Sequence, residues 1–260
     1  MFPIRDDNPQ LRTPYATYGL IALNVLAWLL VQGYGMNPTL SESVCNFGLV
    51  PGELLQTVPA GTTLRTGPDT VCVISGTPAW LTLFTSMFMH GSWMHIIGNM
   101  WFLWIFGDNV EDSMGPVKFV VFYLLCGAAA AALQTATNTE STIPMVGASG
   151  AIGGVMGAYI LLYPRVHVHL FIFLGLFATT VAIPAMFMLG YWFILQLASG
   201  FISIGASGGG VAFWAHVGGF GAGALLVMLF KDQTLLDKHP YHGWKQKTPP
   251  SRNWHRIKRG

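Results

Sequence analysis

From Val166 to Phe201 the chain stays largely apolar for 36 residues. As one helix this stretch would be about 54 Å long, against a hydrocarbon core about 30 Å thick, so it is not a single membrane crossing. Its opening, Val-His-Val-His-Leu-Phe-Ile-Phe, alternates in the manner of an extended or interfacial segment, and Pro184 is placed to start a helix. Dividing the run there gives one span, Pro184 to Ile204. Further spans are expected at Tyr18 to Tyr34, about Trp93 to Phe106, Val117 to about Ala136, Ser149 to Tyr163 and Trp214 to Phe230. The chain is 52% hydrophobic and only 9% charged, with a mean hydropathy of +0.50, far from the composition of a soluble domain. An all-α polytopic membrane protein follows, a bundle of six transmembrane helices.

Around that core, residues 1–17 read as a polar N-terminal tail and residues 231–260 as a basic, disordered one, with a long outer loop at residues 35–92 rich in Pro, Gly, Thr and Ser. The opening MFPIRDDNPQLRTPY resembles neither a signal peptide nor a transit peptide, so the first apolar segment is expected to direct insertion. Six spans place both tails on one side, together with the turns near Lys118 and Arg165. Twelve of the 13 Lys and Arg then share that side, and Arg65 alone lies opposite. The excess of basic residues marks the cytoplasm, so N-in and C-in is the expected topology, in a bacterial inner membrane. A seventh span would throw the basic tail outside.

Topology also sorts the reactive side chains. The segment Pro144 to Gly157, PMVGASGAIGGVMG, puts Ser149 in a Gly-Ala-Ser-Gly turn where an apolar helix begins. A serine needs a neighbouring base to become a nucleophile, and the free N–H groups at a helix start suit an oxyanion. His216 lies in a similar small-residue run, Ala-His-Val-Gly-Gly-Phe-Gly-Ala-Gly. The second, fourth and sixth spans all run inward, which brings His95, Ser149 and His216 to one depth below the outer surface. Gly150 and Gly154, Gly153 and Gly157, and Gly219 and Gly223 are small residues four apart, the spacing that lets two membrane helices touch. His95 and Asn99 sit one turn apart on one face and suit oxyanion donors, with His90 above them as support. No Asp or Glu falls inside an expected span, so a Ser149–His216 dyad is expected rather than a triad.

Three cysteines, Cys45, Cys72 and Cys126, show no metal-type spacing; no metal or cofactor is expected, and no nucleic-acid partner. Cys45 and Cys72 share the outer loop and are expected to pair, while Cys126 lies in the third span.

His90-x4-His95-x3-Asn99 followed by Met-Trp-Phe-Leu-Trp-Ile-Phe-Gly-Asp-Asn-Val-Glu, then Gly147-Ala-Ser149-Gly150, then Ala215-His216-x2-Gly219-x3-Gly223, resembles the rhomboid intramembrane serine proteases. The resemblance implies a six-helix rhomboid-like core that cleaves single-span transmembrane substrates near the outer face of the bilayer. It implies Ser149 as nucleophile, His216 as base, and His95, Asn99 and the Ser149 N–H as oxyanion donors. Gly147, Gly150, Gly219 and His90 take supporting places in its motifs. It also implies that the first loop lies partly in the membrane, that Gly205 to Phe213 caps the site, and that the fifth span is a lateral gate. One departure is Gly153, where the family often carries an aromatic that stacks on the histidine. A catalytically inactive rhomboid-like binding protein and a small-solute transporter are the alternatives. Ser149 and His216 argue against the first, and the lack of an intramembrane acid or matching repeats against the second.

Overall fold

The computed structural model describes residues 2–65, 70–175, 177–204 and 210–242. In chain order the elements are β1 (Phe2–Asp6), α1 (Tyr15–Leu26) with a π-helical extension Ala27–Val31, α2 (Thr39–Phe47), α3 (Pro51–Leu54), β2 (Thr63–Arg65), β3 (Val71–Val73), α4 (Thr82–Thr85), α5 (Trp93–Met114), α6 (Pro116–Thr137), α7 (Ser149–Leu162), β4 (His167–Leu174), β5 (Phe177–Pro184), α8 (Ala185–Ile202), α9 (Phe213–Phe230) and α10 (Gln233–Leu236). Among the described residues, α6, α8 and α9 are long and apolar enough to cross a membrane, and Tyr15–Val31 and Ser149–Leu162 are shorter apolar helices. Length and composition therefore support three crossings, short of the six expected.

Helix α7 is the axis of the bundle. It is buried along nearly its whole length and packs on α5, α6 and α9. Its small residues allow this. A Cβ at Gly219 of α9 would land on the Gly150 carbonyl, one at Gly223 on the Gly154 carbonyl, and one at Gly157 on the Phe220 carbonyl. Below these contacts the core is filled by large side chains, among them Leu103, Phe106, Phe119, Phe122, Tyr123 and Tyr159, all at 0% exposure. At that level dispersion and apolar packing replace backbone contact.

The expectation of an all-α protein is corrected. Strands β4 and β5 form an antiparallel hairpin from His167↔Pro184 to Leu174↔Phe177, and β1 adds to the edge of β4 with Phe2 opposite Phe171. The alternation that suggests extended chain serves two faces: Val166, Val168 and Leu170 are buried while Phe171 and Phe173 are exposed. Within the expected N-terminal tail, β1 is paired in this sheet and α1 already begins at Tyr15.

Helix α5 likewise runs past the expected end of the second span at about Phe106, as far as Met114. Its carboxylates have partners. Glu111 accepts from Ala16 N–H at 3.0 Å and from Thr17 N–H and Oγ1 at 2.8 Å each, which satisfies the orphan donors at the start of α1. Asp112 accepts from Leu11 N–H at 2.7 Å and from Arg12 Nε at 3.3 Å. The segment after α9 also departs from expectation as far as residue 242. Asp232 N–H donates to Ser113 O at 2.8 Å, α10 follows, and His239 is buried against the Tyr163 ring with centroids 4.6 Å apart. Residues 243–260 lie outside the described residues.

The expected outer loop carries α2, α3, the β2–β3 hairpin and α4 in place of irregular chain. Cys45 and Cys72 are disulfide-bonded, with Cα atoms 5.5 Å apart, and Cys126 is a buried free thiol. This segment grips the turn that precedes α7: Leu49 and Met145 exchange backbone hydrogen bonds of 2.9 and 2.7 Å, and Gly52 N–H donates to Ser141 O at 2.9 Å.

Candidate active site

The N-terminal ends of α5, α7 and α9 meet at one end of the bundle, while the sheet and α10 lie at the other. Ser149 is the first residue of α7, so its N–H and the next two point away from the helix with no acceptor inside it. The turn that delivers it needs a glycine at 147. That residue has φ of +126°, its N–H donates to Ser86 O at 2.9 Å, and a side chain there would run into His95.

Helix α9 presents His216 to this point. His216 Nε2 lies 2.8 Å from Ser149 Oγ, and Nδ1 lies 2.8 Å from Gln196 Oε1 of α8. An amide oxygen only accepts, so Nδ1 carries the proton and Nε2 is left free to accept from the serine hydroxyl. Gln134 of α6 caps the same helix start, its Oε1 accepting from Ala215 N–H at 3.1 Å. The ring lies beside Trp192 of α8, centroids 5.7 Å apart. A Cβ at Gly153 would stand 3.1 Å from the His216 carbonyl, a tight approach, and here the His216 ring has its aromatic neighbour on α8.

Helix α5 begins with Ser92 as its cap, Oγ accepting from His95 N–H at 3.2 Å. Gly91 N–H donates to His95 Nδ1 at 3.3 Å, so the neutral ring carries its proton on Nε2. That nitrogen and Asn99 Nδ2 converge on the space beside Gly147, where a Cβ would stand 2.7 Å from the one and 3.6 Å from the other. Asn99 is buried, and its Nδ2 has no hydrogen-bond partner among the described residues. A buried donor left open in this way is costly unless an acceptor arrives. His90 packs edge-on against the His95 ring at 5.1 Å, and its backbone is clamped by Gln32, whose Oε1 accepts from His90 N–H at 2.8 Å while Nε2 donates to His90 O at 2.7 Å. Burial, with His95 alongside, pushes the His90 imidazole down to about 3, so it is a neutral packing group.

The structure thus brings Ser149, His216, His95, Asn99, Gly147, Gly150, Gly219 and His90 together at this end of the bundle. A cavity of about 20 Å³ lined by Ser86, Met87, Gly127, Ala130 and Ala215 adjoins Ser149. Sequence reasoning missed Gln196, Trp192 and Gln134. The signal available was a lone amide in an otherwise apolar helix, which in a membrane calls for a partner. Among the described residues no group of His, Cys, Asp and Glu is arranged to hold a metal ion. The expected cap at Gly205 to Phe213 falls largely on residues 205–209, outside those described.

A serine and a histidine thus stand in hydrogen-bond contact at the head of packed apolar helices. Residues 77–233 match the rhomboid domain, and the chain belongs to the rhomboid family. It is 29% identical over 205 residues to RHOMBOID-like protein 4 of Arabidopsis thaliana, covering 77% of this chain and 45% of that protein. To Rhomboid protease GluP of Bacillus subtilis (strain 168) it is 28% identical over 213 residues, covering 81% of this chain and 36% of that one. Rhomboid-like protein 11, chloroplastic, of Arabidopsis thaliana is 34% identical over 84 residues, 32% of this chain and 30% of its own length. The chain spans less than half the length of these curated relatives.

Proposed function

We propose that this chain is an intramembrane serine endopeptidase that cleaves transmembrane segments of other membrane proteins. The observation that carries the reading is the 2.8 Å contact between Ser149 Oγ and His216 Nε2 in a chain similar to a rhomboid protease. Ser149 Oγ attacks the scissile carbonyl as its proton passes to Nε2. The oxyanion is met by the Ser149 N–H, His95 Nε2–H and Asn99 Nδ2–H, which accounts for the open donor on Asn99. His216, now charged, gives its proton to the leaving amine. Water then adds to the acyl-enzyme with His216 again as base, and Ser149 is regenerated.

The chain crosses the bilayer six times in this reading, through α1, α5, α6, α7, α8 and α9, with both tails in the cytoplasm of a bacterial plasma membrane. Two observations support it: twelve of the 13 Lys and Arg then lie on one side, and β1 pairs with β4 while Asp232 bonds to Ser113, all at the end of the bundle away from Ser149. The substrates are single-span proteins that present their cleavage site near the outer face.

A fluorophosphonate probe tests the chemistry. Membranes carrying the protein become labelled, and Ser149→Ala abolishes labelling. Co-expression with tagged single-span proteins tests the substrate class, through a cut that disappears in Ser149→Ala. An unlabelled wild-type protein would assign the chain to the inactive rhomboid-like binders.

A further inference from the structure

We propose that Gln196 of α8 is a positioning residue for the base, holding His216 in the one tautomer and orientation from which it can accept the Ser149 proton. The proposal rests on the protease reading of the same site. A neutral imidazole has one donor and one acceptor nitrogen. For Nε2 to accept from Ser149, Nδ1 must donate, and the group that Nδ1 meets at 2.8 Å is the Gln196 amide oxygen. No carboxylate is needed for this task. A neutral amide oxygen suffices to fix the tautomer, and it leaves no bare charge in an apolar helix. The acceptor must also be held. Trp192 lies one helical turn before Gln196, so the two project from one face of α8. Trp192 lies alongside the ring while Gln196 takes its edge, and Phe193 stacks on Phe220 of α9 with centroids 4.6 Å apart, fastening α8 to the helix that carries His216. The groups facing the imidazole are thus Ser149 of α7, Trp192 and Gln196 of α8, and His95 of α5 as the nearby ionisable side chain.

Orientation of a catalytic base by a third group recurs in serine hydrolases, and presenting the wrong tautomer there costs up to about 10⁴-fold. Gln196→Met keeps the bulk and removes the acceptor, so the ring retains its packing but loses its bias. Gln196→Glu keeps an acceptor oxygen and adds a charge that favours the imidazolium. The experiment measures fluorophosphonate labelling rate and cleavage kinetics of the full chain in detergent or liposomes across pH, with unfolding temperature alongside. Gln196→Met is expected to lower kcat about 10-fold to 100-fold with KM and unfolding temperature unchanged. Gln196→Glu is expected to recover turnover at high pH, with the acid limb of the pH profile moved upward. The proposal is overturned if Gln196→Met labels and cleaves at the wild-type rate, or if its loss tracks a lowered unfolding temperature that Gln196→Glu shares. Failure of the wild-type protein to label would overturn the protease reading itself, so the two failures are distinct.

Discussion

Gly219→Ala puts one methyl group where α9 crosses α7. The new Cβ would fall on the Gly150 carbonyl, backbone against backbone, so no flexible side chain is available to yield. Reaching ordinary carbon–oxygen contact requires the helices to part by on the order of 1 Å. That movement would carry His216 from 2.8 Å to nearly 4 Å from Ser149, beyond hydrogen-bond range. A misplacement of this size at a reacting centre costs about 100-fold in rate, and overpacking of this kind costs about 1 to 3 kcal/mol of stability. The control lies two residues away. A Cβ on Gly221 meets nothing within 4 Å, so Gly221→Ala should keep full activity and, if anything, firm the helix by about 0.5 to 1 kcal/mol. The rate of fluorophosphonate labelling and the unfolding temperature in detergent separate the two variants. Equal labelling and equal unfolding temperature for Gly219→Ala, Gly221→Ala and wild type would refute the tight-crossing argument.

His95→Ala and Asn99→Ala each remove one oxyanion donor while the Ser149 N–H remains, so each should lower kcat about 100-fold to 1,000-fold; an Asn99→Ala protein with normal turnover and lowered unfolding temperature would show a clamp between helices instead. Burial pushes the Asp6 carboxyl up to about 7, against the hydrogen bond from Tyr159 that opposes the rise. Because the folded value lies above the unfolded one, its contribution is full below pH 4 and is lost as pH rises to about 7, so thermal stability should fall across that window and Asp6→Asn should flatten the slope. Breaking the Cys45–Cys72 disulfide, which spans 27 positions, should cost about 3 to 4 kcal/mol of loop order; alkylation with and without reductant reports the pairing, and an unchanged unfolding temperature on reduction would dismiss its role.

Much of this was legible because the two strongest signals in the sequence have direct physical meaning. Apolar runs located α6, α7, α8 and α9 to within a few residues, since burial in lipid or protein demands the same composition. Small residues four apart marked the α7–α9 crossing, and the reactive side chains fell at the helix starts. The errors have a common origin. Glu111 and Asp112 looked like the end of a helix, because sequence shows a charge without the three N-terminal donors of α1 that receive it. The alternating Val-His-Val-His segment gave its local geometry but not its distant partner, β1. Gln196 was passed over because a single amide in an apolar helix does not announce which ring nitrogen it will meet.

Strand β1 pairs with a partner 169 positions further along, Phe2 opposite Phe171. During synthesis it therefore waits, with an unpaired edge, until residues 168–171 have been made. Arg5, Asp6 and Asp7 keep it polar through that delay, and two of them are then spent at once, Asp6 on Tyr159 and Asp7 on His169 at 2.9 Å. Closure of the sheet thus follows synthesis of α1, α5, α6 and α7. Lesions in β1 should appear as poor yield of assembled protein, while the molecules that do complete assembly retain a normal turnover.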